Sequence, residues 1–312
     1  MAGLGAVILS YGPGDRHRHL LEDLAAQGLA AERIVVVHNP RSSFERHRPA
    51  APDGAAVLFM ERNRGYGAAM NDGLHELARR GASLGLLLTH DTRLSPGALE
   101  ALAAAVRERP RYGVLGLVVE YPGAELGRFY GAHLERGRAR HLQEAPAGAA
   151  GPVFDVDWVD GSAMGVRLVA WHEAGYLPGH YFMYFEEADF ASRVREQGWG
   201  VGMVLAGRAR SAPGVGGRRA AYGYLYSRNG LDWARRRRGG AVAARFALAR
   251  LSSVAQVAAS ATRRHLREPA ERNAHYAEAL GSLLGLADAL RGRFGPPPPR
   301  LARRGDIEGE RS

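Results

Sequence analysis

Ala6-Val7-Ile8-Leu9-Ser10-Tyr11-Gly12 is a short apolar run that ends in a polar pair and a glycine. Its length and branched aliphatic content predict a buried strand. Leu20, Leu21 and Leu24 follow at helical spacing, and Ile34-Val35-Val36-Val37 then repeats the apolar run. Strand, helix, strand is the unit of a parallel sheet, because parallel neighbours need a crossover connection that a helix supplies. Working outward, Ala55–Met60 predicts a strand, Ala68–Arg80 a helix, Leu84–Leu88 a strand, Pro96–Arg109 a helix with Pro in its first turn, and Val114–Val119 a strand. Wholly apolar strands alternating with amphipathic helices predict an α/β fold with a mostly parallel sheet covered on both faces.

Tyr121 to Gly151 is rich in Gly, Ala, Arg and Pro and reads as an irregular or hairpin excursion. Trp158, the turn Gly161-Ser162-Ala163 and a helix near Leu168–Ala174 follow. The aromatic run Tyr181-Phe182-Met183-Tyr184-Phe185 then meets Glu186-Glu187-Ala188-Asp189, a helix runs through Arg193 to Gln197, and Trp199–Leu205 is the last strand. Beyond Pro213-Gly214 the composition changes. These shifts predict a domain over 1–215, a basic, aromatic and then helical extension over 216–295, and a disordered tail over 296–312 that opens on four prolines.

The chain has 312 residues, no Cys and a formal net charge of +10. Without Cys, thiolate catalysis, Cys-ligated zinc, iron–sulfur clusters and disulfide scaffolds are excluded. All 42 basic residues are Arg, and their placement says more than their number. Residues 1–206 carry 21 Arg against 24 Asp and Glu, whereas residues 207–312 carry 21 against 8. A basic last third beside a near-neutral body predicts an anionic partner. Nucleic acid is not expected, since no helix-turn-helix, zinc or RNP signature accompanies the charge. Ala6–Ser10 is too short for a secretory signal, and the most apolar later stretch, Ala241–Ala261, is broken by Arg245, Arg250, Ser252, Ser253 and Gln256. The expected location is cytoplasmic, peripheral at the inner face of the plasma membrane.

Ligands of open parallel sheets bind at the carboxyl ends of the strands, so the loops there matter most. They read Ser10-Tyr11-Gly12, His38-Asn39-Pro40, Arg62-Asn63-Arg64-Gly65-Tyr66-Gly67 and Thr89-His90-Asp91. Asn71 stands eight residues beyond Asn63. Glu186-Glu187-Ala188-Asp189 sits in Tyr184–Phe190 with Arg193 beyond, and Gly161-Ser162-Ala163-Met164 precedes Gly175-Tyr176-Leu177. Taken together, these motifs over residues 4–214 resemble the inverting, nucleotide-sugar-dependent glycosyltransferases of family 2, with rhamnosyltransferases closest in style.

The resemblance implies a GT-A fold and a hexosyltransferase that moves one sugar from a thymidine or uridine diphosphate donor to a hydroxyl. The acceptor would be a glycan or lipid-linked saccharide in cell-wall or surface-polysaccharide synthesis. It also implies Tyr11, His38, Asn39, Arg64, Gly65 and Asn71 on the donor side, and Trp158, Asp160 and Gly161 near the acceptor or sugar. Asp91 would hold a divalent cation, Mg or Mn, and Glu187 would be the base within Glu186, Glu187 and Asp189. The chemistry fits these residue types. A diphosphate leaving group develops charge that a cation offsets, and a base for a hydroxyl needs a carboxylate whose pKa a half-apolar setting has raised.

The chain departs from the pattern at three places. Thr89 replaces an acidic or Asn metal-motif residue, His38 a base-contacting Asp, and Ser211 a metal-binding His, leaving Arg208 or Arg210 as candidates to neutralise the diphosphate. These departures keep a second expectation open, a non-catalytic sugar-nucleotide or glycan-binding protein of the same fold. Tyr11-Gly12-Pro13-Gly14-Asp15 is a poor version of a nucleotidyltransferase signature. Tyr222 to Gly230, Trp233 and Arg235 to Arg238 resemble the stretch after the catalytic domain in enzymes with lipid-linked acceptors. There aromatics and Arg would meet an anionic membrane surface, the alternative being packed tyrosines beside a solvated Arg run.

Overall fold

The apolar runs form strands and the periodic stretches form helices in the computed structural model, which describes residues 3–41, 45, 47–124, 127–135, 138–149, 151–212, 219–264 and 269–302. In chain order the elements are β1 (Leu4–Tyr11), α1 (Arg18–Ala26), β2 (Ile34–Asn39), β3 (Ala56–Phe59), α2 (Tyr66–Arg79), β4 (Leu84–Thr89), β5 (Thr92–Leu94), α3 (Ala98–Glu108) and β6 (Tyr112–Glu120). They continue with β7 (Arg128–Phe129), β8 (Ala132–Glu135), β9 (Arg138–His141), β10 (Val153–Asp155), β11 (Ala163–Arg167), α4 (Leu168–Glu173), α5 (Glu186–Glu196) and β12 (Gly200–Ser211). Four more helices follow: α6 (Arg219–Arg238), α7 (Gly240–Arg264), α8 (Pro269–Leu290) and α9 (Pro299–Ala302).

The chain divides into two units. The first, residues 1–134, 139–179 and 186–213, contains the main sheet, ordered β10-β12-β6-β11-β4-β1-β2-β3. β1 runs parallel to β2 and β4, β2 to β3, and β6 to β12. β11 lies antiparallel between β4 and β6, which makes those two parallel to each other. The α/β expectation of a mostly parallel sheet is borne out. Burial on both faces explains the unbroken apolar runs. Successive side chains of β1 alternate sides, so Val7 and Leu9 join a core with Met70, Leu74 and Leu77 of α2, while Ala6 and Ile8 join Leu20, Leu24, Leu99 and Leu102.

Parallel pairing has a consequence for function. The carboxyl ends of β1, β2, β4 and β6 share one edge, and antiparallel β11 begins there, with Ala163 opposite Leu88. β12 brings its own end to the same place, setting Ser211 opposite Thr92.

The second unit comprises residues 135–138, 180–185 and 214–312. The aromatic and Arg-rich stretch, expected to precede the helices, is itself helix α6. The aromatic run 180–185 clusters with this unit rather than with the strands around it in sequence. The cause is a pair of fully buried residues on α6. Asn229 donates to the carbonyls of Tyr181 (3.0 Å), Met183 (2.8 Å) and Tyr184 (2.9 Å), and Arg228 donates to Tyr181 and Gly295 (both 2.8 Å). These bonds hold an unusual backbone: Phe182, Tyr184 and Phe185 have φ of 69°, 71° and 73°, a left-handed conformation that costs side-chain-bearing residues about 1–2 kcal/mol each.

The disordered tail expected over 296–312 is corrected in its first part. Residues 296–302 are ordered, because Leu301 of α9 buries against Ala220, Tyr224 and Leu225. Residues 303–312 lie outside the described residues.

Candidate active site

Thr89 ends β4, and a two-residue turn, His90-Asp91, leads into β5. The Thr89 hydroxyl donates to Asp91 Oδ1 at 2.7 Å, and Thr92 Oγ1 donates to the Ser162 carbonyl at 3.1 Å. The His90 amide is tied to the Leu9 carbonyl at 3.0 Å. The turn is thus fastened to the end of β1 and to the loop before β11, while the Asp91 carboxylate is exposed. Burial lowers the pKa of His90, keeping it a neutral imidazole.

The loop before β11 centres on Asp160. Its Oδ1 accepts the Ser162 amide (2.7 Å) and hydroxyl (2.6 Å), and its Oδ2 accepts the Tyr121 hydroxyl at 2.5 Å. Gly161 offers its carbonyl to the Tyr66 hydroxyl at 2.5 Å. A Cβ at position 161 would stand 2.9 Å from that oxygen, so the close approach requires glycine. Burial raises the phenols of Tyr66 and Tyr121; Glu187, Glu186 and, least, Asp160 raise Tyr66 further, and Tyr121 is raised further by the charge of Asp160. The Tyr121 phenol also feels Asp91. Trp158 is half-buried, with its ring 5.7 Å from that of His141.

The same charge reaches the start of α5. Desolvation first, and Asp160 in addition, push the Glu187 carboxyl up to about 7, opposed by the helix N-terminal backbone amide. Glu186 is buried, rises well above the usual range through desolvation and its neighbour Glu187, and leaves Oε2 without a hydrogen-bond partner. Asp189 has a different place: buried, it accepts from Arg193 Nε at 3.0 Å, and that guanidinium also binds the carbonyls of Ala174, Gly175 and Tyr176. Through Arg193 it is tied to the turn that follows α4.

The donor-side residues divide similarly. Tyr11 ends β1 half-buried, next to Gly12, whose amide binds the Asn39 carbonyl at 3.2 Å. The Asn39 side chain is buried and tied to the Gly65 carbonyl (3.0 Å) and the Arg64 amide (3.4 Å). The Arg64 guanidinium meets Asp72 at 2.5 Å. Asn71 is consumed by the protein: its carbonyl accepts Trp171 Nε1 (2.9 Å) and the Leu177 amide (3.0 Å), and its amide donates to the Leu177 carbonyl (2.8 Å). His38 is buried with both ring nitrogens partnered, to Ser10 Oγ at 3.3 Å and to Glu45 at 2.8 Å. The side chains of Asn71 and His38 are thus hydrogen-bonded within the protein.

In the sequence Tyr66 and Ser162 stand within the strand-end motifs without a role of their own, and Tyr121 and Glu45 are unmarked. Tyr121 could have been marked, since it directly follows the end of β6 at the edge where ligands bind. Glu45 carries no such signal, lying in a Pro- and Arg-rich loop.

Among the described residues no group of three His, Cys, Asp or Glu side chains is placed to hold a metal ion. The exposed Asp91 carboxylate beside the Thr92–Ser211 pair of strand ends fits a hard cation whose coordination the oxygens of a substrate diphosphate would complete.

No family model matches the chain. Solved structures with the same fold include GalNAc-T7 with UDP, GalNAc and Mn2+, at a TM-score of 0.56 and 11% identity over 75% of this chain, which spans 48% of that one. The mannosyltransferase PcManGT from Pyrobaculum calidifontis, in complex with GDP-Man and Mn2+, has a TM-score of 0.50 and 14% identity, covering 92% of this chain and 87% of its own. TarS of S. aureus also has a TM-score of 0.50, at 13% identity over 93% of this chain and 55% of its own. The chain has the GT-A fold of these glycosyltransferases. In sequence it is rhamnosyltransferase-like: it is 28% identical over 232 residues to the N-acetylglucosaminyl-diphospho-decaprenol L-rhamnosyltransferase of Mycobacterium tuberculosis (strain CDC 1551 / Oshkosh), covering 63% of this chain and 71% of that protein.

Proposed function

We propose that the protein transfers a single sugar, with inversion, from a thymidine or uridine diphosphate sugar to a hydroxyl of a lipid-linked saccharide at the inner surface of the plasma membrane. L-Rhamnose is the sugar that the mycobacterial relative supports. The observation that carries the proposal is the gathering of Asp91, the Tyr121–Asp160–Ser162 cluster and Glu187 around one end of the sheet.

Glu187 is the general base. The acceptor hydroxyl gives its proton to this carboxylate as its oxygen forms a bond to the anomeric carbon. The bond from that carbon to the diphosphate breaks, and the electron pair leaves with the nucleoside diphosphate. A pKa near 7 suits the task, since the group is ionised in half of the molecules at neutral pH yet basic enough to take the proton. Asp160 keeps this carboxylate basic and Gly161 fixes the start of α2 through Tyr66. Asp91 would hold a magnesium or manganese ion, which supplies charge neutralisation at the departing diphosphate. Asn39, Gly65 and Tyr11 shape the donor side, with Asn71 and His38 holding it from behind.

Purified protein, a panel of thymidine and uridine diphosphate sugars and a N-acetylglucosaminyl-diphospho-lipid acceptor provide the test. Transfer is expected with one donor, in a metal-dependent manner. Donor binding without transfer to any acceptor would instead favour the non-catalytic binding protein, the reading that Thr89, His38 and Ser211 keep in view.

A further inference from the structure

Helix α8 is packed the wrong way round for water. A helix on a soluble protein normally turns its large apolar side chains inward and its small or polar ones outward. Here the face against α6 is made of Gly281, Ser282 and Gly285. A Cβ at Gly281 would come within 2.2 Å of the Ala220 carbonyl oxygen, and one at Gly285 within 2.2 Å of that of Tyr224, so the two backbones touch. Of the five leucines of α8 only Leu286 is buried, whereas Leu280, Leu283 and Leu290 are 52%, 43% and 71% exposed and Tyr276 is 40% exposed. At about 100° per residue these four exposed side chains fall within an arc of roughly 80°, along a stripe about 21 Å long.

Helix α7 repeats the arrangement. Leu248 and Leu251 are 66% and 45% exposed, and the exposed Ala244, Ala255 and Ala259 share their face. Single exposed leucines are ordinary, but two helices of one unit with apolar outer faces are not.

Charge identifies what covers these faces. Residues 233–267 contain nine Arg and no Asp or Glu. Arg245 is exposed three residues before Leu248, and exposed Arg291 and Arg293 border the end of the α8 stripe, next to Leu290. Two acids of α8 stand off the stripe: Glu278 is half-buried with its backbone against Gly223, and Asp288 accepts the Tyr224 hydroxyl at 2.9 Å and lies 3.9 Å from both Arg291 and Arg293, so that one carboxylate faces two guanidinium groups. Leucine stripes edged by guanidinium groups match the boundary between acyl chains and anionic headgroups. A symmetric pairing of two copies through this face fits less well, since it would oppose like patches and press Arg against Arg. Among the described residues no helix is long and apolar enough to cross a membrane, so the match is to a surface lying on a bilayer.

We infer that the outer faces of α7 and α8 form an interfacial surface that seats the second unit on a membrane containing anionic phospholipid. The inference deepens the proposal of a lipid-linked acceptor by naming the surface that meets the membrane, but its test reads binding, not turnover.

The full chain is floated with vesicles of phosphatidylcholine alone and of phosphatidylcholine with phosphatidylglycerol. Binding is expected to the anionic vesicles, to weaken with added salt, and to fall at least about tenfold in Leu280→Asp/Leu283→Asp and in Arg291→Glu/Arg293→Glu. Circular dichroism and nucleoside diphosphate binding, which report the fold and the first unit, are expected to be unchanged in both variants. No binding to the anionic vesicles, or equal binding by the folded variants, overturns the inference. So does light scattering that finds a dimer dissolved by Leu280→Asp/Leu283→Asp, because a second copy would then be the occupant. Transfer to a water-soluble acceptor separates the two proposals. It is expected to survive the leucine variant and to fall by about 10²–10⁴-fold in Glu187→Gln while vesicle binding persists; a vesicle-bound wild-type protein without transfer sinks only the proposed function.

Discussion

The hydroxyl of Tyr121 and Oδ2 of Asp160 meet at 2.5 Å, joining the end of β6 to the loop that enters β11. The Ser162 amide and hydroxyl hold the other carboxylate oxygen, so Asp160 is fixed within the electrostatic reach of Glu187. The first consequence concerns pH. The charge of Asp160 raises Glu187, so Asp160→Asn lowers the pKa of the base. The acid limb of kcat/KM against pH, expected near 7 in the wild type, should move to lower pH, whatever the variant does to the maximal rate. A limb that stays in place or moves upward would show that Glu187 does not control it.

Removing the base itself should separate catalysis from binding. Glu187→Gln is expected to lower kcat by about 10²–10⁴-fold. Calorimetry should find nucleoside diphosphate affinity essentially unchanged, because the amide keeps the shape of the side chain. An active Glu187→Gln enzyme assigns the proton transfer elsewhere.

The same residue makes a prediction about stability. The folded-state pKa values of Glu186 and Glu187 lie above the ordinary 4.5, so the folded protein holds protons that the unfolded chain would release. Their contribution is fully present below pH 4.5 and is lost as pH rises through 7 for Glu187, and higher still for Glu186. Glu187→Gln should therefore raise Tm by about 2–4 °C at pH 8 and leave it nearly unchanged in acid, where both side chains are neutral. Calorimetric melting across this range checks the sign.

Asp91 and Ser211 test the cation. Nucleoside diphosphate binding should strengthen with Mn2+, and Asp91→Asn should abolish most of that gain while leaving metal-free binding intact. Ser211 stands opposite Thr92, one residue from Asp91, so Ser211→His places an imidazole where it can join the ion. A tighter apparent Mn2+ affinity is expected; no change in either variant would remove Asp91 as the ligand.

In the second unit, Asn229→Ala deprives the Met183 and Tyr184 carbonyls of a donor at a strained segment, while the Tyr181 carbonyl keeps Arg228. At roughly 1 kcal/mol for each of the two N–H donors, the loss of stability is expected to be about 2 kcal/mol, measured by urea denaturation. Asn229→Asp should be comparably damaging, since a carboxylate accepts where these carbonyls need a donor.

Periodicity was enough for the layers of the fold. The runs at Ala6, Ile34 and Leu84 became the parallel strands β1, β2 and β4, because only strands buried on both faces are apolar at every position. The site was legible as a set of strand-end loops, since topology places those ends together. It was not legible in the use of each side chain. Asn71, His38 and Asp189 have the residue types that bind ligands, yet partners 106, 28 and 4 residues away, or nearer, saturate or occupy them. Glu45 and Tyr121, which no spacing marked, complete the arrangement.

The net charge of +10 and its concentration in the last third are properties of the sequence by itself, as are the strand order of types, the Glu186-Glu187 pair and the absence of Cys chemistry. Only the tertiary structure decided that Glu187 is desolvated beside Asp160, that α6 captures the aromatic run through Asn229, and that α8 turns its leucines outward. The physical reason is common to the three. Whether a group is buried, paired or exposed depends on neighbours distant in the chain, and local composition carries the chemistry of a side chain but not its surroundings.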